Sequence, residues 1–188
     1  MIKIAIFGGS FDPPHKGHQT IVNRALELLD IDKIIIVPTF LNPFKKSSLA
    51  SPHQRLEWCR ELFGDFDNAE VSDYEIALGK PTYTRETLRY FQKRYSVRYL
   101  IIGADNLESI TKWHSFEQIN QEIIWVVATR LKCKLDTSML REYILLDIAI
   151  DISSTKIREC NDLRHIDERI ACKVNLIIEK NREKNDIR

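Results

Sequence analysis

The sequence predicts an α/β protein: an open parallel sheet with helices on both faces. Three observations predict it. The first forty residues read strand, glycine loop, helix, strand. Such a βαβ unit implies parallel strands and a right-handed crossover. Strand-like and helix-like segments then keep alternating along the chain, with no repeat and no linker between them. Finally, the strand-like runs ending at Phe7, Val37 and Ile102 are each followed at once by glycine or proline. Those residues stop a strand and open a loop, so three loops should converge at one end of the sheet.

Each element has its own signal. Ile2–Phe7 is mostly apolar and short, as in a buried strand, and ends at Gly8-Gly9. Ile21, Val22, Ala25, Leu26, Leu28 and Leu29 make an apolar stripe on a helix over Gly17–Leu29. Lys33–Val37 is a second buried strand, stopped by Pro38, and Thr39–Ser51 is a polar loop. Ser51-Pro52-His53-Gln54 starts a helix running to about Phe63, with Ser as cap, Pro in the first position and Gln three residues on. Ala69–Ile76 reads as a strand, and Thr84 as the cap of a helix reaching about Tyr95. Val97–Ile102 is a strong strand. Ser115 with Gln118 marks a short helix before two further strands, Ile123–Ala128 and Tyr143–Ile148. Ser153–Cys160 and Asp167–Glu179 read as helices, and the charged tail from Lys180 is expected to fray. The whole, residues 1–188, is expected to be a single Rossmann-like domain whose C-terminal helical part begins at about residue 153.

Composition narrows the function classes. Hydrophobic residues make up 44% of 188, enough for a core. Lys plus Arg is 28 and Asp plus Glu 27, for a net charge of +1. That balance gives no electrostatic footprint for nucleic acid or an acidic membrane, though it allows a local site for a phosphorylated small molecule. Cys59, Cys133, Cys160 and Cys172 form no CxxC pair, which argues against a zinc ribbon or a redox motif. No signal-like apolar segment opens the chain, and no apolar run approaches the roughly 18 residues of a membrane helix. The expectation is a soluble cytoplasmic protein with reduced thiols.

Three segments carry chemistry. In the first, Gly8-Gly9-Ser10-Phe11-Asp12-Pro13-Pro14-His15-Lys16-Gly17-His18 leads from a strand into a helix. Glycines let the backbone approach a ligand, and the helix N-terminus favours an anion. His15 and His18 can face one phosphate group there. Zinc-binding pairs on helices more often have i, i+4 spacing, and no acidic or cysteine cluster completes a ligand set nearby. The loop ends neither as a Walker loop nor as a GxGxxG fingerprint. In the second, Ile152-Ser153-Ser154-Thr155-Lys156-Ile157-Arg158 places three hydroxyls and an arginine at another helix start. This is an ordinary cap or a second anion site with Arg158 as a clamp. In the third, Gly103-Ala104-Asp105-Asn106 ends a strand at the expected crevice, and Trp113 follows as a flat face for an aromatic ring or as a core residue. Lys45, on the loop after Pro38, could reach a phosphate.

Together these segments resemble the nucleotidyltransferase superfamily with the HxGH signature, here His15-Lys16-Gly17-His18, with Ile152–Arg158 near the end. More narrowly, Gly8–His15, Pro81-Thr82-Tyr83-Thr84 with Thr87-Leu88, and Ile102–Leu107 with Trp113-His114 are similar to bacterial nicotinate-nucleotide adenylyltransferases. The resemblance spans about residues 2–160. It implies a Rossmann-like sheet of nucleotidyltransferase type and adenylyl transfer from ATP to nicotinate mononucleotide, with Mg²⁺ bound along with ATP. By the same resemblance, His15, His18, Lys45 and Arg158 are catalytic. Gly8, Gly9, Ser10, Phe11, Gly103, Asp105, Ile152, Ser153, Ser154 and Thr155 join His15, His18 and Arg158 in binding ATP. Phe11, Lys45, Tyr83, Thr84, Asp105 and Trp113 bind the mononucleotide. Two places depart from the family: Asn42-Pro43-Phe44 precedes Lys45 where Pro-Pro-His is usual, and Ala128-Thr129-Arg130-Leu131 replaces a usual Arg-Pro-Gly. A phosphopantetheine adenylyltransferase and a non-catalytic nucleotide-binding module are the alternatives. The expected partners are therefore small-molecule substrates, with no nucleic acid and no membrane, and a homo-oligomer is left open.

Overall fold

The computed structural model describes residues 1–130, 135–148 and 152–186. Cys133, Leu131 and Asp151 lie outside the described residues. Six strands form one sheet: β1 (Lys3–Gly9), β2 (Lys33–Pro38), β3 (Ala69–Val71), β4 (Ser96–Gly103), β5 (Ile124–Arg130) and β6 (Tyr143–Ile148). Their order is β3-β2-β1-β4-β5-β6, and every neighbouring pair is parallel. The order reverses between β1 and β4, and a crevice opens at the carboxyl ends on either side of such a reversal.

Both faces of the sheet are covered, so the central strands are apolar on both sides rather than alternating. The period of two sends Ala5, Phe7, Ile34, Ile36 and Ile101 to one face, where they pack with Ile21, Val22 and Ala25 of α1 (Lys16–Leu28) and Leu62 and Phe63 of α2 (Pro52–Phe63). Ile4, Ile6, Ile35, Val37, Leu100 and Ile102 point the other way. They meet Leu88 and Phe91 of α4 (Thr84–Gln92) and Phe116 and Ile119 of α5 (Phe116–Glu122). A third cluster joins Trp58 of α2 to Ile157 of α6 (Ser154–Cys160) and to Ile170, Val174 and Ile178 of α7 (Glu168–Asp186). The C-terminal helices are thereby packed against the helix that follows the loop after β2.

The Ser51 cap forms as expected: the Gln54 amide donates to Ser51 Oγ at 3.2 Å. Three expectations are corrected. Ala69–Ile76 is not one strand; β3 stops at Val71, and Tyr74–Leu78 is a short helix, α3, closed by Gly79 in the left-handed region. Thr84 does not cap α4, which begins at Thr84 after Tyr83 and ends at Gln92 rather than near Tyr95. Ser115 marks the start of α5 as expected, in a left-handed conformation (φ 61°) and without a side-chain cap bond. The tail does not fray from Lys180; α7 continues to Asp186, since Val174 and Ile178 anchor its apolar face. Among the described residues, Cys59, Cys160 and Cys172 are free thiols, and no described helix is long and apolar enough to cross a membrane.

Candidate active site

A cavity of about 270 Å³ lies over the carboxyl ends of the central strands. Every site residue named from the sequence, from Gly8 to Arg158, lines it. One wall is the β1–α1 loop. Gly8 has nothing within 4 Å of where a Cβ would stand, so a ligand can approach its backbone. Gly17 is tight for another reason: a Cβ there would lie 2.9 Å from Ile152 Cγ2 and 3.0 Å from His15 Nδ1. Phe11 adopts φ 47° and is 2% exposed. Its ring packs edge-on to Phe7 and Phe63 and tilts over His18.

The two histidines act as one unit. Their rings stack with centroids 3.8 Å apart and planes 30° apart. His15 caps α1, and its backbone amide donates to His18 Nδ1 at 3.1 Å. An Nδ1 that accepts leaves the proton of a neutral imidazole on Nε2, so His18 offers an N–H donor.

The loop is held from behind by groups distant in sequence. Asp12, 4% exposed, accepts from the amides of Leu49 at 2.7 Å and Ala50 at 3.0 Å. Ser154 Oγ donates to the Pro13 carbonyl at 2.8 Å, and Arg158 Nη1 donates to the Asp12 carbonyl at 2.6 Å. Ser153 Oγ accepts the Lys156 amide at 3.1 Å as the α6 cap. Sequence reading takes this segment for a cap or an anion clamp. Its side chains also staple α6 to the β1–α1 loop, and they still line the cavity.

The basic side of the cavity gathers around Lys45. Asn42 organises its turn, accepting the Lys45 amide on its carbonyl and the Phe44 amide on Oδ1. Lys45 Nζ then donates to Ser10 Oγ at 3.2 Å. Burial, with nearby Arg158 as the next contributor, lowers the Lys45 pKa below the ordinary lysine value. Two cations that share one space and repel each other are suited to an anion between them.

Another part of the lining is aromatic. Trp113 is half-buried and edge-on to the buried Trp125, with ring centroids 6.1 Å apart. Tyr83, 45% exposed, stacks on His114 at 4.7 Å. Asp105 is exposed in a 3₁₀ turn after β4, with Oδ1 2.5 Å from where a Gly103 Cβ would stand. Thr84 opens α4, which is tied to α5 by a bidentate Arg85–Glu122 ion pair.

Sequence reasoning missed Arg55, Glu75, Phe44 and His114. Arg55 of α2 is fully buried and donates to the carbonyls of Ser10, Phe40 and Ala50. In sequence it is one more charged residue near the start of α2. Glu75 lines the cavity and is hidden because its segment reads as a strand. The usable signal was Ser72-Asp73 before, and Gly79 after, a short run of helix formers.

A glycine loop into a helix N-terminus with a stacked histidine pair, at the reversal point of a parallel sheet and facing two cations, defines a nucleotidyltransferase. The cytidylyltransferase-like family profile matches residues 6–160. The chain is 50% identical over 181 residues to a "probable nicotinate-nucleotide adenylyltransferase" of a Sulfurovum species, covering 96% of each protein. It is 49% identical over 159 residues to a protein of the same name from a Nitratiruptor species, covering 84% of this chain and 88% of that one. The chain belongs to the nicotinate-nucleotide adenylyltransferase family within the cytidylyltransferase-like proteins. Among solved structures, a Plasmodium falciparum nicotinic acid mononucleotide adenylyltransferase complexed with NaAD superposes with a TM-score of 0.74, at 22% identity and 96% coverage of both chains. That likeness is one of fold.

Proposed function

We propose that this protein transfers the adenylyl group of ATP to nicotinate mononucleotide, giving deamido-NAD and pyrophosphate, as a step of NAD biosynthesis. One observation carries the reading. A single cavity joins a cationic, histidine-bearing side for a triphosphate to an aromatic end for a flat heterocycle. The identity to relatives of that name supports the choice of acceptor.

The nucleophile is a phosphate monoester oxygen, whose second pKa near about 6 leaves it ionised at neutral pH. It attacks the α-phosphorus of ATP; the bond from that phosphorus to the β-phosphate bridging oxygen breaks, and pyrophosphate leaves. No general base is required. The site has to overcome repulsion and misalignment between two anions, which positioned charge does. In this reading His15 and His18 donate to phosphate oxygens, and Lys45 and Arg158 face the triphosphate from the other side. Gly8, Gly9, Ser10, Phe11, Gly103, Asp105 and residues 152–155 form the ATP walls. Tyr83, Thr84 and Trp113 hold the pyridine ring and its mononucleotide, with Phe11, Lys45 and Asp105 at the junction.

Among the described residues, no group of three or more His, Cys, Asp or Glu is gathered as a metal cage. Mg²⁺ would enter with ATP rather than as a resident of the protein. Bound in that way, Mg²⁺ supplies neutralisation of phosphate charge. Residues 1–188 act as one domain, with the helices from about residue 153 bracing the ATP side, and the expected setting is the cytoplasm.

The test is pyrophosphate release with ATP and each of nicotinate mononucleotide, nicotinamide mononucleotide and phosphopantetheine. Release with nicotinate mononucleotide is expected. Release with phosphopantetheine alone, or with no acceptor, overturns the reading.

A further inference from the structure

Glu75 has no part in the chemistry above, yet it is 4% exposed and lines the same cavity as Thr82, Thr84, Thr87 and Trp113. Only one of its carboxyl oxygens is engaged among the described residues: Thr87 Oγ1 donates to Oε1 at 2.6 Å. Oε2 is buried with no hydrogen-bond partner among them. An ionised carboxylate there would leave a bare oxyanion out of water, which is costly. A neutral carboxyl suits the site better, because with Oε1 accepting from Thr87 the proton can sit on Oε2.

We propose that Glu75 is a specificity-determining residue for the ring substituent of the mononucleotide. As a neutral acid it admits a carboxylate-bearing ring; once ionised it repels that ring and leaves a carboxamide-bearing ring unaffected. The inference rests on the reading of the aromatic end as a pyridine mononucleotide site. Like charges brought together in a desolvated wall disfavour each other, whereas an uncharged amide carries no such penalty.

The charged surroundings are consistent with a titration near neutral pH. Burial pushes the Glu75 pKa from 4.5 to about 7; the Thr87 hydrogen bond opposes this, Glu86 of α4 adds to it and Arg55 of α2 opposes it. On its own helix the neighbouring titratable group is Tyr74, stacked on Tyr90. The same cavity is also lined by His15, His18, Lys45, Asp105 and His114. His15 and His18, which lie at the triphosphate in this reading, act on both acceptors alike. The ratio of kcat/KM for nicotinate mononucleotide to kcat/KM for nicotinamide mononucleotide therefore isolates the group that senses the ring substituent.

The experiment measures that ratio from about pH 6 to about pH 9 in the full-length protein and in Glu75→Gln, which is isosteric and does not ionise. In the unaltered protein the ratio should fall roughly tenfold across the range, through KM rather than kcat. In Glu75→Gln it should stay flat. A flat ratio in the unaltered protein overturns the inference whether or not the variant folds. So does an equal fall in both proteins, which would assign the effect to another group such as His114. Turnover of neither mononucleotide overturns the functional reading and this inference together.

Discussion

The guanidinium of Arg55 donates to the main-chain carbonyl of Ser10 at 2.6 Å, across 45 positions of sequence. A second bond reaches the Phe40 carbonyl at 2.7 Å. One buried side chain thus sets the separation of the β1 loop from the β2 loop, and hence of the histidine pair from Lys45. Arg55→Met should leave buried carbonyls without donors. The expected loss is about 2–4 kcal/mol of stability, read as a lower denaturation midpoint in urea. In the fraction that remains folded, kcat should fall more than KM rises, because the two anions are no longer aligned.

His18 presents Nε2–H because its Nδ1 accepts the His15 amide. His18→Ala should lower kcat by about 10²–10³, as expected when a preorganised donor to a developing charge is removed. Thermal denaturation verifies that the variant is folded, and near-normal turnover in a folded sample would refute the role given to the pair.

Asp12 accepts two backbone amides of the segment that precedes α2. Asp12→Ala would orphan both, and Ala50 is only 5% exposed. A loss of about 2–3 kcal/mol is expected, with faster amide exchange at Leu49 and Ala50 as the local readout.

Trp113 presents an unburied part to the aromatic end while its edge rests on Trp125. Trp113→Ala should raise KM for the mononucleotide roughly tenfold and leave KM for ATP near its original value, since stacking contributes about 0.5–1.5 kcal/mol beyond area. Initial-rate kinetics with each substrate varied in turn would reveal the asymmetry.

Glu75 also links stability to pH. Its folded-state pKa of about 7 exceeds the ordinary 4.5, so between those values the folded protein holds a proton that the unfolded chain has released. The stability it contributes is complete below about pH 4.5 and is lost as pH rises through about 7. Glu75→Gln lacks this dependence. Its Tm relative to the unaltered protein should therefore rise between about pH 5 and about pH 8, as calorimetry at the two pH values would show.

The extent of the site that can be read from sequence follows from how local each determinant is. The β1 loop is legible because its glycines, prolines and histidines lie within eleven consecutive residues at a strand–helix junction. The Ser51 cap is legible for the same reason. The stretch from Ala69 to Ile76 misleads because β3 is only three residues long and joins α3 without a glycine or proline between. The end of α7 misleads because the charges after Lys180 suggest fraying, while packing of Val174 and Ile178 on α2 holds the helix in place.

By itself the sequence determined the parallel α/β alternation and the anion-binding helix start at His15–His18. Each rests on backbone propensities and side-chain types that act over one turn or one loop. Only the tertiary structure decided that Arg55 is a buried brace rather than a surface charge. It alone joined Ser154 and Arg158 to the Pro13 and Asp12 carbonyls, and left one oxygen of Glu75 without a partner among the described residues. These depend on which distant backbone groups lose their water on folding. A buried polar group then takes whatever partner the packing brings to it, or goes without one.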